Sequence, residues 1–308
     1  MFRKALPFFV IAETPLHPGS GSEVGIVDLP IQRERHTSWP KIEGSSLKGS
    51  IREAFEAKGI NKEDINLVFG PEDGELHAGA ITFTDARILV FPVRTLKGIF
   101  AWITCPLVLE RFREDMEIVG IKINESFGRI KEKTVPNVTN IVVSGKVILD
   151  EYCFELEQDE NTTKLAEWFS KNISLPDYWK EKLKKDLVIL PNEDFNDFVN
   201  MSTEIIARTK IDSKTGTVVP GALWYEEYLP TDTILYALAL ASPIMIKDEQ
   251  KKREFRIKES ELNEGENKPD KEAEKVLEFF KKVPTIIQIG GNQTVGKGIV
   301  RLSLLGGK

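Results

Sequence analysis

At 308 residues, 41% of them hydrophobic and 29% charged, the chain holds one elaborated domain or two small ones with a sizeable core. Its formal charge of −6 argues against nucleic-acid binding through bulk charge. No run approaches the eighteen apolar residues of a membrane span, so the expected location is cytoplasmic with no membrane partner.

The opening stretch, closed by Glu13 and Pro15, predicts a first strand over 7–13. A loop rich in proline and glycine follows, carrying His17 and Asp28. Isolated loop residues of these types are usually solvated, yet beside basic residues the pair suits proton transfer or metal binding at a phosphodiester. Spacing alone does not show that they meet. Residues 31–52 hold Arg33, Arg35, Lys41, Lys48 and Arg52 against Glu34 and Glu43, the first of two basic stretches. Within it Ser45 is placed to cap a helix whose apolar Leu47, Ile51, Ala54 and Phe55 share one face. Ser45 and Lys48 in that first turn fit either an ordinary capped helix or an anion site made from free N–H groups, the helix dipole and one ammonium. The SxxK pattern they form lacks the SDN and KTG partners of a serine hydrolase.

Strands are predicted near 80–93, 99–104 and 141–157, with a helix opening at Pro106 whose Leu109, Phe112 and Met116 line one side. Cys105 and Cys153 both sit in apolar, strand-like contexts and read as buried thiols. Helical patterns occupy 162–187 and 192–201. Residues 207–230 then read as an extended hairpin, with turn chemistry at Asp212 to Gly216. Arg208 and Lys210 with Trp224, Tyr225 and Tyr228 suit either phosphates and stacked bases or a ribbon with its aromatics packed inward.

After a strand over 233–242, the tract 247–275 mixes ten acids with nine bases and predicts a mobile loop leading into a helix over 270–282. Two last strands, 284–289 and 298–304, flank a glycine-rich loop with Gly290, Gly291 and Lys297. It satisfies GxxxxGK but not a P-loop, because Gly298 and a strand follow the lysine. Glycines there let backbone approach phosphate, or simply make a tight connection. The second basic stretch is Lys281, Lys282, Lys297, Arg301 and Lys308, without an acid. The element order suits an α+β fold, an antiparallel sheet with helices on one face as in ferredoxin-like and RRM-like domains.

HPGSG at 17–21, VGIVDLPIQRERHT at 24–37, SLKG at 46–49, FPVRTLKG at 91–98, the IDSKTGTV and GALWYEEYLP halves of the hairpin, and IGGNQTVGKG at 289–298 carry a resemblance. In this order they resemble the repeated backbone subunit of Cmr (type III-B) CRISPR complexes, in the RAMP superfamily. The resemblance implies a ferredoxin-like palm across 1–308 with an inserted thumb hairpin at 207–230. It implies copies stacked head to tail along a guide crRNA, other Cmr subunits as partners, and metal-dependent cleavage of the paired target RNA, with Mg2+ as the expected ion. By the same resemblance Asp28 takes the catalytic position, either as the ligand of a divalent ion or as the base that helps deprotonate the target's 2′-hydroxyl, with His17 beside it. Lys48 takes the place of a lysine on the guide backbone, and Glu226 and Tyr228 are thumb residues at the cleavage site. A scaffold subunit without chemistry and a guide-processing ribonuclease are the alternatives.

Overall fold

Phe8 and Phe9 decide the architecture. Successive strand residues face opposite sides of a sheet, and both rings are fully buried. Phe8 packs on Phe83 and Phe280, and Phe9 on Phe112, so this strand needs cover on both faces. The structure, a computed structural model, describes residues 2–72, 77–123, 127–263 and 265–306, and Lys308 lies outside them.

In chain order the elements are β1 (Lys4–Ala12), β2 (Lys41–Ile42), α1 (Gly44–Ala57), α2 (Lys62–Phe69), β3 (Ile81–Phe83), β4 (Ala86–Arg94), β5 (Phe100–Thr104) and α3 (Pro106–Ile118). There follow β6 (Thr134–Val135), β7 (Lys146–Leu149), β8 (Tyr152–Glu155), β9 (Glu157–Gln158), α4 (Glu160–Asn172), α5 (Asp177–Lys185), β10 (Leu187–Ile189) and α6 (Asn192–Met201). The last are β11 (Glu204–Ile211), β12 (Val218–Tyr228), β13 (Ile234–Ala241), α7 (Lys268–Phe280), β14 (Ile286–Gln288) and β15 (Ile299–Leu304). Among the described residues eleven strands form one sheet in the order β14-β15-β1-β13-β4-β5-β10-β6-β9, with β2 on β4 and β3 on β13.

The sheet is mixed. From β14 to β5 its neighbours are antiparallel, as the sequence predicts, but β10 joins β5 in parallel and β9 joins β6 in parallel. Helices cover both faces, not one. On the Phe8 side Phe55 of α1 stacks on Phe279 of α7 at 4.9 Å, and on the Phe9 side Phe112 of α3 meets Tyr236 of β13 and Phe169 of α4. The signal was present: β1 and β13 are nearly continuous apolar runs, which is how a strand buried on both faces reads.

Smaller departures have local causes. The helical pattern 162–187 is split into α4 and α5 ahead of Pro176, since the residue before a proline is driven out of the helical region. The strand expected over 141–157 folds back as the β7–β8 pair through Asp150, whose φ of 49° makes the turn. Cys105 is buried as expected, but Cys153 on that hairpin is exposed. Helix α1 starts one residue before Ser45: Glu43 is its N-cap residue, and Asp85 accepts the Gly44 N–H at 2.9 Å. The charged tract 247–275, expected to be a mobile loop, folds onto the body. Its Phe255 is 1% exposed against Phe279, and the ammonium of Lys252 is paired with buried Glu272 at 2.9 Å. Average composition hid the single aromatic anchor that makes this packing possible.

Strands β11 and β12 stand apart from the large sheet as a two-stranded ribbon. Six residues separate them, where Asp212 Oδ1 accepts the N–H groups of Lys214 and Thr215 and Gly216 takes a φ of 68°. The hairpin expected over 207–230 is therefore present, starting three residues earlier.

Candidate RNA-cleavage site at the root of the ribbon

Strand β12 changes character along its length. From Val218 to Tyr225 no residue is fully buried, whereas Glu226, Glu227, Tyr228 and Leu229 all are. Alternation puts Trp224, Glu226 and Tyr228 on one face and Tyr225 with Glu227 on the other. On the first face the Glu226 carboxylate accepts from Trp224 Nε1 at 2.8 Å, from the Tyr228 hydroxyl, and from Asn292 Nδ2 at 2.9 Å. Asn292 Nδ2 also reaches the Tyr228 oxygen at 2.9 Å, and the Arg208 guanidinium lies 3.3 Å from Glu226. The Lys297 ammonium sits 5.1 Å from the centre of the Tyr228 ring. Burial raises the Glu226 carboxyl, but its Tyr228 and Trp224 donors and the Arg208 charge outweigh that and hold it below the usual range. Burial, then the Glu226 carboxylate, push the Tyr228 phenol up to about 12.

The other face is held by Glu227. It accepts from Ile31 N at 3.0 Å, from Thr203 Oγ1 at 2.8 Å and from Arg33 Nη2 at 2.5 Å. The first loop runs along the free edge of this root. Leu16 and Leu229 exchange backbone bonds, and Leu29 bonds Tyr225 and Glu227. Gln32 ties the same loop to the start of α1, accepting from Glu43 N at 2.7 Å and donating to Ser46 at 3.4 Å.

His17 and Asp28 therefore meet the root rather than one another, and no hydrogen bond joins them. The His17 ring is 8% exposed, lies 5.4 Å from Tyr228, and places Nδ1 2.6 Å from the Glu227 carbonyl oxygen. A carbonyl only accepts, so Nδ1 carries the proton. Glycine is required around it: a Cβ at Gly19 would stand 2.8 Å from His17 Nε2, and one at Gly290 2.2 Å from its backbone oxygen. Asp28 is half-buried and accepts the Tyr225 N–H at 2.8 Å. Of the four residues expected to be catalytic, only Asp28 is placed to reach a ligand. Glu226 and Tyr228 share a face as expected, but at 4% and 0% exposure they turn inward instead of facing a phosphate.

The expected RNA-binding residues divide in the same way. Lys48 is half-buried without an ion pair or hydrogen bond among the described residues, and burial with the nearby Arg52 lowers its pKa, which makes an anion favourable there. Ser45 lies exposed in the same turn, and Lys210 is exposed and unpaired on the ribbon. Arg208 is committed to Glu226. In the glycine-rich loop the Gly291 N–H goes to the His17 oxygen at 3.0 Å and the Gly298 N–H to Pro15, so these donors clamp the first loop and are not free for phosphate. Arg33, Lys41, Arg52 and Arg301 are likewise spent on internal pairs. Neither Asn292 nor Glu227 stands out in the sequence as a site residue. An asparagine directly after two glycines, prone to a left-handed turn, was the only hint of the first.

A hard divalent cation takes six or more oxygen ligands. Asp28 offers one carboxylate, already bonded to Tyr225 N, and among the described residues no group of three His, Cys, Asp or Glu side chains converges. These residues form no all-protein cage for a divalent ion, whereas a hydrated Mg2+ shared with RNA phosphates needs only one or two carboxylates.

Comparison with known proteins agrees along the whole chain. The model of the RAMP superfamily matches residues 10–301. The "CRISPR system Cmr endoribonuclease Cmr4" of Pyrococcus furiosus is 40% identical over 297 residues, covering 94% of this chain and 92% of the relative. A "CRISPR system CMR subunit Cmr4" of Saccharolobus solfataricus is 26% identical over 97% of this chain and 96% of its own. The crystal structure of oligomeric Cmr4 from Pyrococcus furiosus superposes with a TM-score of 0.71 at 34% identity, covering 98% of both chains. A chain of type III-B Cmr-beta bound to cognate target RNA shares the fold at a TM-score of 0.75 and 23% identity, again over 98% of both.

Proposed function

The chain belongs to the RAMP superfamily, and from that premise we propose that it is a backbone subunit of a type III-B Cmr effector complex, which binds guide RNA and cuts the target RNA paired with it. One observation carries the reading: motif stretches as distant as 17–37, 224–229 and 289–298 converge on the root of one ribbon, in a chain 40% identical to a Cmr endoribonuclease. Copies of the chain associate head to tail along the guide, with other Cmr subunits as partners and the cytoplasm as the location. The antiparallel strands β15-β1-β13-β4 with α1 and α7 serve as the ferredoxin-like palm, because their order along the chain and across the sheet is that of a split βαβ fold. β11–β12 is the thumb.

The reading implies in-line attack by the target's own 2′-hydroxyl. The O2′–P bond forms as the P–O5′ bond breaks, leaving a 2′,3′-cyclic phosphate and a 5′-hydroxyl once a proton reaches O5′. Orientation supplies much of such a rate. Asp28, the reachable acid, orients or deprotonates the 2′-hydroxyl. His17, Glu226 and Tyr228 hold the thumb at its angle to the palm, and Lys48 with Ser45 at the start of α1 takes a guide phosphate. Sequence recognition stays with base pairing.

The test is cleavage of matched target RNA by the assembled complex, with magnesium and with a chelator. Asp28→Ala should leave guide and target binding near the starting level and remove cutting. Cutting retained by an intact Asp28→Ala complex would leave the scaffold reading, and cutting of the guide precursor alone the processing one. Loss of activity in chelator would mean that an ion arrives with the RNA phosphates.

A further inference from the structure

Asn292 lies outside every role assigned so far, yet its side chain touches both members of the buried acid–phenol pair. It comes from the glycine-rich loop, 64 residues beyond Tyr228, and its backbone holds a φ of 66°, in the left-handed region. From there Nδ2 lies 2.9 Å from Glu226 Oε2 and 2.9 Å from the Tyr228 oxygen. The loop that presents it is pinned on the opposite side, where Gly291 N donates to the His17 oxygen and Gly298 N to that of Pro15. The glycine-rich loop therefore joins the first loop through its backbone and the thumb root through the Asn292 amide.

We propose that Asn292 is a positioning residue for RNA cleavage, fixing the ionised Glu226 carboxylate and the neutral Tyr228 phenol so that the thumb meets the palm at one angle. This rests on the nuclease reading above. An amide donor is the group the geometry needs. Glu226 accepts three further polar contacts, from Trp224, Tyr228 and Arg208, and a second carboxylate in place of the amide would repel it.

Two substitutions separate this role from a turn-forming one. Glycine takes the left-handed conformation without strain, so Asn292→Gly keeps the loop and removes the amide. Asn292→Asp keeps the shape and inverts the electrostatics. In the assembled complex both should cut matched target RNA about ten- to a hundredfold more slowly, the range for one hydrogen bond to a charged group, with guide affinity within about twofold. Carboxyl-carbon NMR of the glutamate-labelled full chain should show Glu226 titrating at higher pH in both variants, the Asp variant most. That second readout involves no cleavage, so it survives even if the parent complex proves inactive on RNA. Asn292→Gly cutting at the parental rate, or an unmoved Glu226 titration in both variants, would overturn the proposal.

Discussion

The two halves of the ribbon share one strand and little else. Beyond Tyr225 toward the tip no residue is buried: Ile211 is 54% exposed and Leu223 55%, while Arg208, Ala222 and Trp224 on the other face are half-buried. At the root, four consecutive residues are buried against the first loop, the glycine-rich loop and the palm. Residues poor in β-propensity occur in both halves, Pro220 and Gly221 toward the tip and Glu226 and Glu227 at the root, so burial and not local preference separates them. The difference suits an arm on a fixed bearing. An isolated hairpin is marginal in water, and this one stands because its root is locked.

Glu227→Ala should break the contrast most severely. It deletes the acceptor for Ile31 N and Thr203 and leaves Arg33 without its 2.5 Å partner in a site where that side chain is only 21% exposed. Stripping one member of such a pair costs about 3 kcal/mol. Urea unfolding of the full chain measures it. A loss no larger than that of a ribbon substitution such as Thr209→Ala would mean that the root is not the anchor.

A smaller effect follows from the other face. The Tyr228 phenol, raised from 10.0 to about 12, favours its neutral form in the folded chain, so its contribution is complete below pH 10.0 and fades as pH climbs through about 12. The Glu226 carboxyl is held below 4.5, so its contribution is present above that pH and fades as pH falls through the lowered value. Between those limits neither of these two contributions should change, whereas Glu204, paired with Tyr228 across the ribbon and raised above 4.5 by burial, weakens the root as pH rises through its raised value. Tyr228→Phe removes one donor to the carboxylate at a cost of about 1.5–3 kcal/mol. It should move the acid edge of stability upward, read as the urea midpoint across an acid pH series. An unmoved edge would show that the hydroxyl contributes nothing to holding the charge.

Much of this contrast was legible in the sequence, and the missing parts have physical reasons. Amphipathic spacing gives α1 and α3 with their buried residues, Leu47, Ile51 and Phe55 in one and Leu109, Phe112 and Met116 in the other. Turn chemistry at Asp212 gives the ribbon. The short strands β2, β6 and β10 carry too few residues to show a period, and the second helical layer follows from Phe9 only once Phe8 is known to face the other way. At the site, charge was misleading: Arg33, Arg208 and Arg301 look like phosphate ligands in the sequence and are ion-pair partners in the fold. Half-buried Lys48, which the same count treats as one cation among five, is left unpaired. Ion pairing is long-range, with Arg33 and Glu227 194 residues apart, and no local pattern contains it.

Shortening the tip should have the least effect on stability and sharpen the comparison furthest. Residues Ser213 to Thr217 are exposed and Asp212 is half-buried, and their bonds are internal to the turn, the Asp212 carboxylate with Lys214 and Thr215 and the Asp212 N–H with Thr217. Replacing them by Asn-Gly, whose twist suits a two-residue hairpin, keeps the Ile211–Val218 pair. Unfolding free energy should change by less than about 0.5 kcal/mol, the usual range for surface changes. Activity should respond differently. Opening a base step costs a few kcal/mol, and stacking returns about 1 to 3 kcal/mol per base, so an arm too short to cross the paired RNA forfeits that contact while the palm keeps its phosphate site. Cleavage by the assembled complex should then fall about fivefold or more, one lost stacking contact at the lower end of that range, with guide affinity nearly unchanged. Normal rate and normal cut positions in the shortened chain would mean that the ribbon's reach plays no part, and that the locked root acts alone.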